Sequence, residues 1–428
     1  MAAASAIGAI LTHARTIDDR LAEDAKSGAL AGMEPRDLAL LRSIVVVALR
    51  RLGTIRLALA AFLEKPLPRK AQALENVLIA GAAQILFLDI PDHSAVDLAV
   101  RSAKHEAATA PFANLVNAVL RNVIRHREEL IDPADPFADT PQWLAARWKN
   151  NWGEEAARAI AHANRLEPTL DLTTRSDPEA WASRLDGIVL PTGTVRLRSR
   201  TSIEQLEGYA DGAWWVQDYA AALPARLLDV QPGEIVADLC AAPGGKTAQL
   251  AAAGAGVTAV DRSALRLKRL TENLARLKLE ANVRAADATA FEGGPFDAIL
   301  IDAPCTATGT IRRHPEVAWN KRQSDLASLS ALQAKLLDRA ASLLKPGGRL
   351  VYCTCSLEPE EGEQQVSALL RRNPDLQRHP VTPEEIGGLP NCINAAGELR
   401  TMPHFLDNGD PRLSGMDGFF AVRLRRRK

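Results

Sequence analysis

Apolar residues recur at three- and four-residue intervals through roughly the first 127 positions, most clearly over 36–52 and 70–88. That period gives each segment one apolar stripe, and the prolines at 66–68 and at Pro91 end the stripes as turns. The pattern predicts an all-α bundle. The stretch Asp132-Pro133-Ala134-Asp135-Pro136 resists helix continuation and reads as a linker. Beyond it, helical periodicity at 143–164 and 178–185 mixes with short strand-like runs at 169–173, 194–197 and 214–217, which predicts a small α+β unit. After about residue 231 the texture changes to apolar runs of four to six residues separated by long helical segments, the pattern of a parallel sheet with crossover helices. Strands are expected at 235–239, 256–260, 281–285, 298–301 and 349–353, with 418–424 as an antiparallel edge, and Ser263 caps a helix running to Leu277. The expected organisation is three-part: a helical domain over 1–130, a small α+β domain over 140–231, and a doubly wound α/β domain over 232–428.

Composition narrows this little. Hydrophobic residues are 47% and charged residues 24%, as in ordinary globular chains and unlike disordered or membrane-embedded ones. No basic residue precedes the apolar opening MAAASAIGAIL, which His13 and Arg15 interrupt, so no signal peptide is read there, and no later run is long enough to span a bilayer. Five cysteines (240, 305, 353, 355, 392) in a chain without an export signal are expected to be reduced thiols in a cytoplasmic protein. Basic and acidic residues balance at 52 each, so only local runs, RLRSR at 196–200 and RLRRRK at 423–428, are candidates for meeting phosphates; solvated faces or a frayed end fit them equally.

Chemistry enters at DLCAAPGGKT, 238–247, where an apolar strand passes through a Pro-Gly-Gly turn into a helix. Glycines there let the backbone approach a ligand, and free amides at the helix start favour a polar or anionic group. A P-loop needs glycine at 240, where Cys240 stands, and a dinucleotide fingerprint needs a third glycine that is missing. What remains is Asp261 at the end of the next strand, fit for two ribose hydroxyls, and Asp287 after the third, fit to accept from an exocyclic amine. An adenosine ligand without a pyrophosphate suits this set, and S-adenosylmethionine is such a ligand. Any one of these aspartates alone is more often a turn or cap residue. The glycine turn, Asp261, Asp287 and Asp302 at successive strand ends are harder to dismiss together.

Asp302-Ala303-Pro304-Cys305 follows the strand AILI, and fifty residues later the strand RLVYC ends in Thr354-Cys355-Ser356. Two thiols at one sheet edge suit methylation of carbon 5 of a cytosine: a thiolate adding at carbon 6 makes carbon 5 enamine-like, and a second thiol can act as or assist the base that later removes the carbon 5 proton. Asp302 is placed to bond the Watson–Crick edge of the base. Cys240, Cys353 and Cys392 read as small apolar fillers. The Cys353-x-Cys355 pair lacks neighbouring ligands at metal spacing, and no metal is expected.

DLCAAPGGKT, DAPCTATGTIRRHPE, LVYCTCSLEPEE and DGFFAVRL together resemble the RsmB/Sun branch of RNA 5-methylcytosine methyltransferases, and LDIPDHSAVDLAV and LVNAVLRNVIR resemble that branch's NusB-like bundle. The resemblance implies a multidomain protein: an all-α NusB-like bundle, a small α+β middle domain and a Rossmann-like α/β domain. It implies Cys355 as nucleophile, Cys305 as the thiol that assists release, and Cys240, Ala241, Ala242, Pro243, Gly244, Gly245, Lys246, Asp261, Asp287 and Asp302 as cofactor contacts. It also implies Arg121 on an RNA-facing helix. The partners expected are S-adenosylmethionine and RNA, 16S ribosomal RNA above all, with no membrane, no metal, and a monomeric state. A transfer RNA methyltransferase and a non-catalytic RNA-binding assembly factor stay open as alternatives.

Overall fold

The structure is a computed structural model and describes residues 1–65, 67, 71–199 and 202–428. Pro66 and Pro68 of the expected turn, the first residue of the helical run 70–88 and the last of the basic run 196–200 lie outside the described residues. Two compact units are present: one comprises Met1–Arg165 with Ile311–Arg322, the other Leu166–Thr310 with Gln323–Lys428.

The first unit is helical: α1 (Ala2–His13), α2 (Ile17–Lys26), α3 (Pro35–Arg50), α4 (Leu52–Ala60), α5 (Gln72–Phe87), α6 (Asp92–His105), α7 (Ala113–Arg125), α8 (Arg127–Leu130), α9 (Gln142–Trp152) and α10 (Glu154–Arg165). The apolar stripes of α1 and α3 to α7 supply most of one continuous core, with α5 central and buried nearly all round. The stretch expected as a linker and the helices after it, up to Arg165, fall within this unit. Just after that stretch, the buried Asp139 carboxylate accepts from the Thr54 amide and hydroxyl at 2.8 Å each and pairs with Arg51 and Arg165, which ties α10 to α4. The expected helix 143–164 is two helices, because Gly153 takes a left-handed φ of 86° between α9 and α10.

In the second unit β1 (Asp171–Thr174), α11 (Pro178–Arg184), β2 (Gly187–Val189), β3 (Val195–Leu197) and β4 (Trp214–Val216) build an antiparallel sheet ordered β2-β3-β1-β4. There follow α12 (Tyr219–Leu227), β5 (Ile235–Leu239), α13 (Gly245–Ala252), β6 (Gly256–Asp261), α14 (Ala264–Leu277), β7 (Asn282–Ala285) and β8 (Phe296–Asp302). The chain then contributes α15 (Glu316–Asn320) to the first unit and returns with α16 (Asp325–Leu343), β9 (Leu344–Thr354), α17 (Glu363–Arg372), β10 (Leu376–Arg378), β11 (Leu399–Arg400) and β12 (Phe420–Arg426). The large sheet runs β10-β12-β9-β8-β5-β6-β7, parallel from β9 to β7, with β11 pairing β12. Its α/β layering is the Rossmann-like arrangement.

The small sheet shares a unit with the large one because polar groups bind them. Gln217, just after β4, donates to Gln249 of α13 at 2.7 Å, and Arg276 of α14 donates to the carbonyls of Tyr209 and Trp214. The basic runs also find structural partners. Arg196 is buried, bidentate to Asp171 at 2.7 Å, with two further carbonyl acceptors, so it does not face phosphates. The run 423–428 is not a frayed end: β12 lies between β10 and β9 rather than at an edge, and Arg423 is buried against Glu385. Among the described residues no helix is long and apolar enough to cross a membrane.

Candidate active site

Strand order reverses between β5 and β8, and ligands in open parallel sheets collect at such a point, outside the carboxyl ends of the strands. The turn 240–244 leaves β5 there and the loop 303–310 leaves β8 beside it. Cys240 takes φ 68° and Gly244 φ 106°, so the chain reverses within five residues and opens α13 with its first amides facing outward along the helix axis. A Cβ on Gly244 would lie 2.7 Å from Leu270 Cγ of α14, so glycine is needed for both conformation and space. Below the turn, Asp238 is fully buried. Its Oδ2 accepts from the Thr247 hydroxyl at 2.6 Å, its Oδ1 has no hydrogen-bond partner, and burial pushes its carboxyl up to about 7.

Asp261 ends β6 as expected, but it is almost wholly buried and both oxygens are engaged: Oδ1 by the Ser263 amide at 2.9 Å, Oδ2 by the Ala242 amide at 3.2 Å and by Arg266 at 3.3 Å. It therefore shapes the 240–244 turn directly. Asp287 is exposed two residues past β7, and the Thr289 hydroxyl and amide hold its carboxyl below the usual range. Asp302 ends β8 with Oδ2 2.8 Å from Lys246 Nζ and Oδ1 3.5 Å from the Cys353 thiol. Burial is the largest single influence and would lower the Lys246 ammonium, but the charge and hydrogen bond of Asp302 together with Cys353 and Cys355 outweigh it, and the net shift is upward. The same ammonium sits 5.0 Å above the Phe419 ring, within cation–π reach.

The two thiols meet: Cys305 Sγ and Cys355 Sγ are 3.5 Å apart, each half-buried. The contact with Cys355 and then burial raise the Cys305 thiol well above its ordinary value, so Cys305 holds its proton. Of the three cysteines read as fillers, Cys353 and Cys392 are buried, Cys240 is half-buried, and burial raises all three. Among the described residues no group of three or more His, Cys, Asp or Glu side chains is placed to hold a metal ion.

Reading the sequence missed what fixes the thiol loops. Glu361, from a carboxylate-rich run that looks solvated, is fully buried and accepts from the Thr306 amide at 3.0 and 3.1 Å, from its hydroxyl, and from Gln333. The Thr306 and Ser356 hydroxyls touch at 3.1 Å, the Gly309 amide donates to the Cys355 carbonyl at 2.9 Å, and Arg400 donates to the Ser356 carbonyl while pairing with Glu363. The only available signal was adjacency to the Thr-Cys-Ser motif.

Two family models match: 16S rRNA methyltransferase RsmB/F over residues 225–425 and the NusB family over residues 2–125. The chain is 37% identical over 400 residues to "Ribosomal RNA small subunit methyltransferase B" of Xanthomonas campestris pv. campestris, covering 89% of both chains, and 36% identical to the protein of that name from Vibrio cholerae, covering 90% and 92%. The crystal structure titled PH0851 shares the fold at a TM-score of 0.74 and 23% identity, over 99% of this chain and 98% of that one. The chain thus belongs to the 16S rRNA methyltransferase RsmB/F family, with an N-terminal NusB-family domain, and is a methyltransferase whose methyl donor is S-adenosylmethionine.

Proposed function

We propose that this protein methylates carbon 5 of a specific cytosine in 16S ribosomal RNA, acting as a monomer, through a covalent adduct with Cys355. The observation that carries the reading is the 3.5 Å approach of Cys305 and Cys355 at the sheet edge that also bears the 240–244 turn. The residues present fit S-adenosylmethionine: the unpartnered Asp238 Oδ1, the open amides at the start of α13, and the carboxylates of Asp261 and Asp287 supply acceptors and donors of the kinds its polar groups need. Cys240, Ala241, Ala242, Pro243, Gly244, Gly245 and Lys246 are the further contacts on that side, and Asp302 borders both ligands. Bound there, the cofactor supplies an electrophilic methyl group.

Cys355 acts as thiolate while Cys305 keeps its proton. The Cys355 sulfur adds to carbon 6, and the ring's electrons make carbon 5 the methyl acceptor. Asp302, held by Lys246, takes hydrogen bonds from the cytosine edge. For release, the carbon 5 proton passes to the Cys305 sulfur as Cys305 hands its own proton to the departing Cys355 sulfur. The carbon 6–sulfur bond breaks and the 5,6 double bond re-forms, so protons and electron pairs balance. Functionally we divide the chain into an RNA-binding bundle (1–130, with Arg121 on its exposed face), a middle domain (140–231) and a catalytic domain (232–428).

The test is mass spectrometry of 16S RNA after incubation with S-adenosylmethionine. Wild type yields 5-methylcytosine; Cys355→Ala loses at least about a thousandfold in rate. Cys305→Ala accumulates a protein–RNA adduct that survives denaturing electrophoresis. Full activity of Cys355→Ala, or methylation at another ring position, refutes the proposal.

A further inference from the structure

We infer that Glu361 is a positioning residue for Cys305, locking the loop after β8 against the end of β9 so that the release thiol stays on the adduct. The inference rests on the thiol roles proposed above but concerns a group that touches neither substrate nor sulfur.

The loop 303–310 is irregular and cannot hold Cys305 by strand pairing. It is held instead by a carboxylate with no access to solvent. Glu361 receives the Thr306 amide, the Thr306 hydroxyl and Gln333 Nε2, and the same Gln333 nitrogen donates to the Pro304 carbonyl at 2.9 Å. Both residues flanking Cys305 are therefore tied to one anion. Glu361 itself is fixed from the other thiol's strand, because Tyr352 Oη and Thr354 Oγ1 of β9 donate to its backbone carbonyl at 2.7 and 3.3 Å. The hydroxyl contact between Thr306 and Ser356 and the bond from the Leu357 amide to Thr308 Oγ1 join the two loops in the residues that follow the two cysteines. A carboxylate suits this position because every group that faces it is a donor. A carboxamide would turn its N–H₂ either toward the Thr306 amide and Gln333, leaving a buried donor short of an acceptor, or toward the Thr306 hydroxyl, which must then reverse its bond, and either way a charge-assisted bond is lost.

Cys355 follows directly on the end of β9, which the ladder with β8 and β12 holds, and takes a single bond from the loop, the Gly309 amide to its carbonyl, so attack leans less on the loop than release does. Release needs both sulfurs in register. Loss of Glu361 therefore separates the two steps, whereas general damage slows them together.

The experiment uses the full-length enzyme. RNA carrying 5-fluorocytosine traps the adduct irreversibly and reports attack alone; ordinary RNA reports turnover. For Glu361→Gln we expect trapping within about threefold of wild type, turnover slowed by about tenfold or more, and adduct accumulating on ordinary RNA. Thr306→Val, which deletes the hydroxyl and keeps the shape, shows the same split more weakly, and Thr306→Ser restores wild-type ratios. The inference is overturned if both Glu361→Gln and Thr306→Val turn over within about twofold of wild type, or if trapping and turnover fall by the same factor in both. Failure of the underlying mechanism is distinguishable, because then Cys355→Ala still traps or Cys305→Ala accumulates no adduct.

Discussion

The cofactor side and the thiol side of the site are built by opposite means. On the cofactor side ten consecutive residues, 238–247, contain the strand end, the reversal and the helix start, and the bond from Thr247 to Asp238 closes the unit on itself. On the thiol side nothing local suffices. Cys305 is placed through Thr306 by Glu361, fifty-five residues on from Thr306, and Cys355 by Gly309 and by Arg400, which reaches it through Ser356. A turn built from one stretch and braced by the neighbouring strand end at Asp261 tolerates change elsewhere in the chain better than a site stapled from distant segments, which fails wherever one staple fails.

The largest test of that difference is Asp238→Asn. The Asp238 carboxyl rises from an ordinary 3.8 to about 7 in the folded chain, with burial the main cause and the Thr247 bond acting against it. A carboxyl with a raised pKa takes up a proton on folding, so its favourable contribution is present below about pH 4 and is lost as pH climbs through 7. Above that the burial costs on the order of 4 kcal/mol. Asparagine does not ionise, so the variant should melt higher than wild type at pH 8, with the gap closing toward pH 4. An equal gap at both pH values would show that the cost is not one of ionisation.

Next comes Gly309→Ala. A Cβ there would stand 1.9 Å from the Gly418 carbonyl oxygen, backbone against backbone, so the loop must move at a cost of about 3 kcal/mol. The comparison between the two sides predicts that methyl transfer collapses while calorimetry still detects S-adenosylmethionine binding; loss of both would mean that the two sides are not independent. The smallest effect belongs to Gly245→Ala. The added Cβ meets only Gln217, at 3.6 Å, and alanine is a good helix former, so stability should stay within about 0.5 kcal/mol. Any fall in cofactor affinity then measures how closely the ligand approaches the turn, and a drop in melting temperature of several degrees would contradict the space seen there.

What was legible follows the same division. β5 falls on 235–239 as the apolar run predicts, and β6 and β8 lie within two residues of their runs at each end, because buried parallel strands write themselves as continuous apolar runs; the mostly exposed edge strand β7 begins one residue later than expected. β10, only Leu376-Gln377-Arg378, carries no such run, and missing it made β12 look like an edge. The motifs brought Cys305, Cys355, Asp302 and Lys246 together, and the structure does the same. Sequence alone could not tell the buried Glu361 from the half-exposed Glu360 beside it, or the structural Arg196 from a phosphate-facing arginine, because burial of a charge depends on partners that pattern and composition do not locate.

The insertion of residues Ile311–Arg322 into the first unit has a consequence for synthesis. Trp319 packs on that unit's core and its indole donates to the Leu49 carbonyl at 2.7 Å, while Asn320 donates to the Arg15 carbonyl. A ribosome finishes Arg165 157 residues (322 minus 165) before it finishes Arg322. At ~5–20 residues per second that is roughly 8–30 s. For that interval the nascent bundle waits with its receiving surface bare. It is completed only by a strip of chain emerging after the first four strands of the parallel sheet, so the last piece of the earlier unit arrives in the middle of the later one.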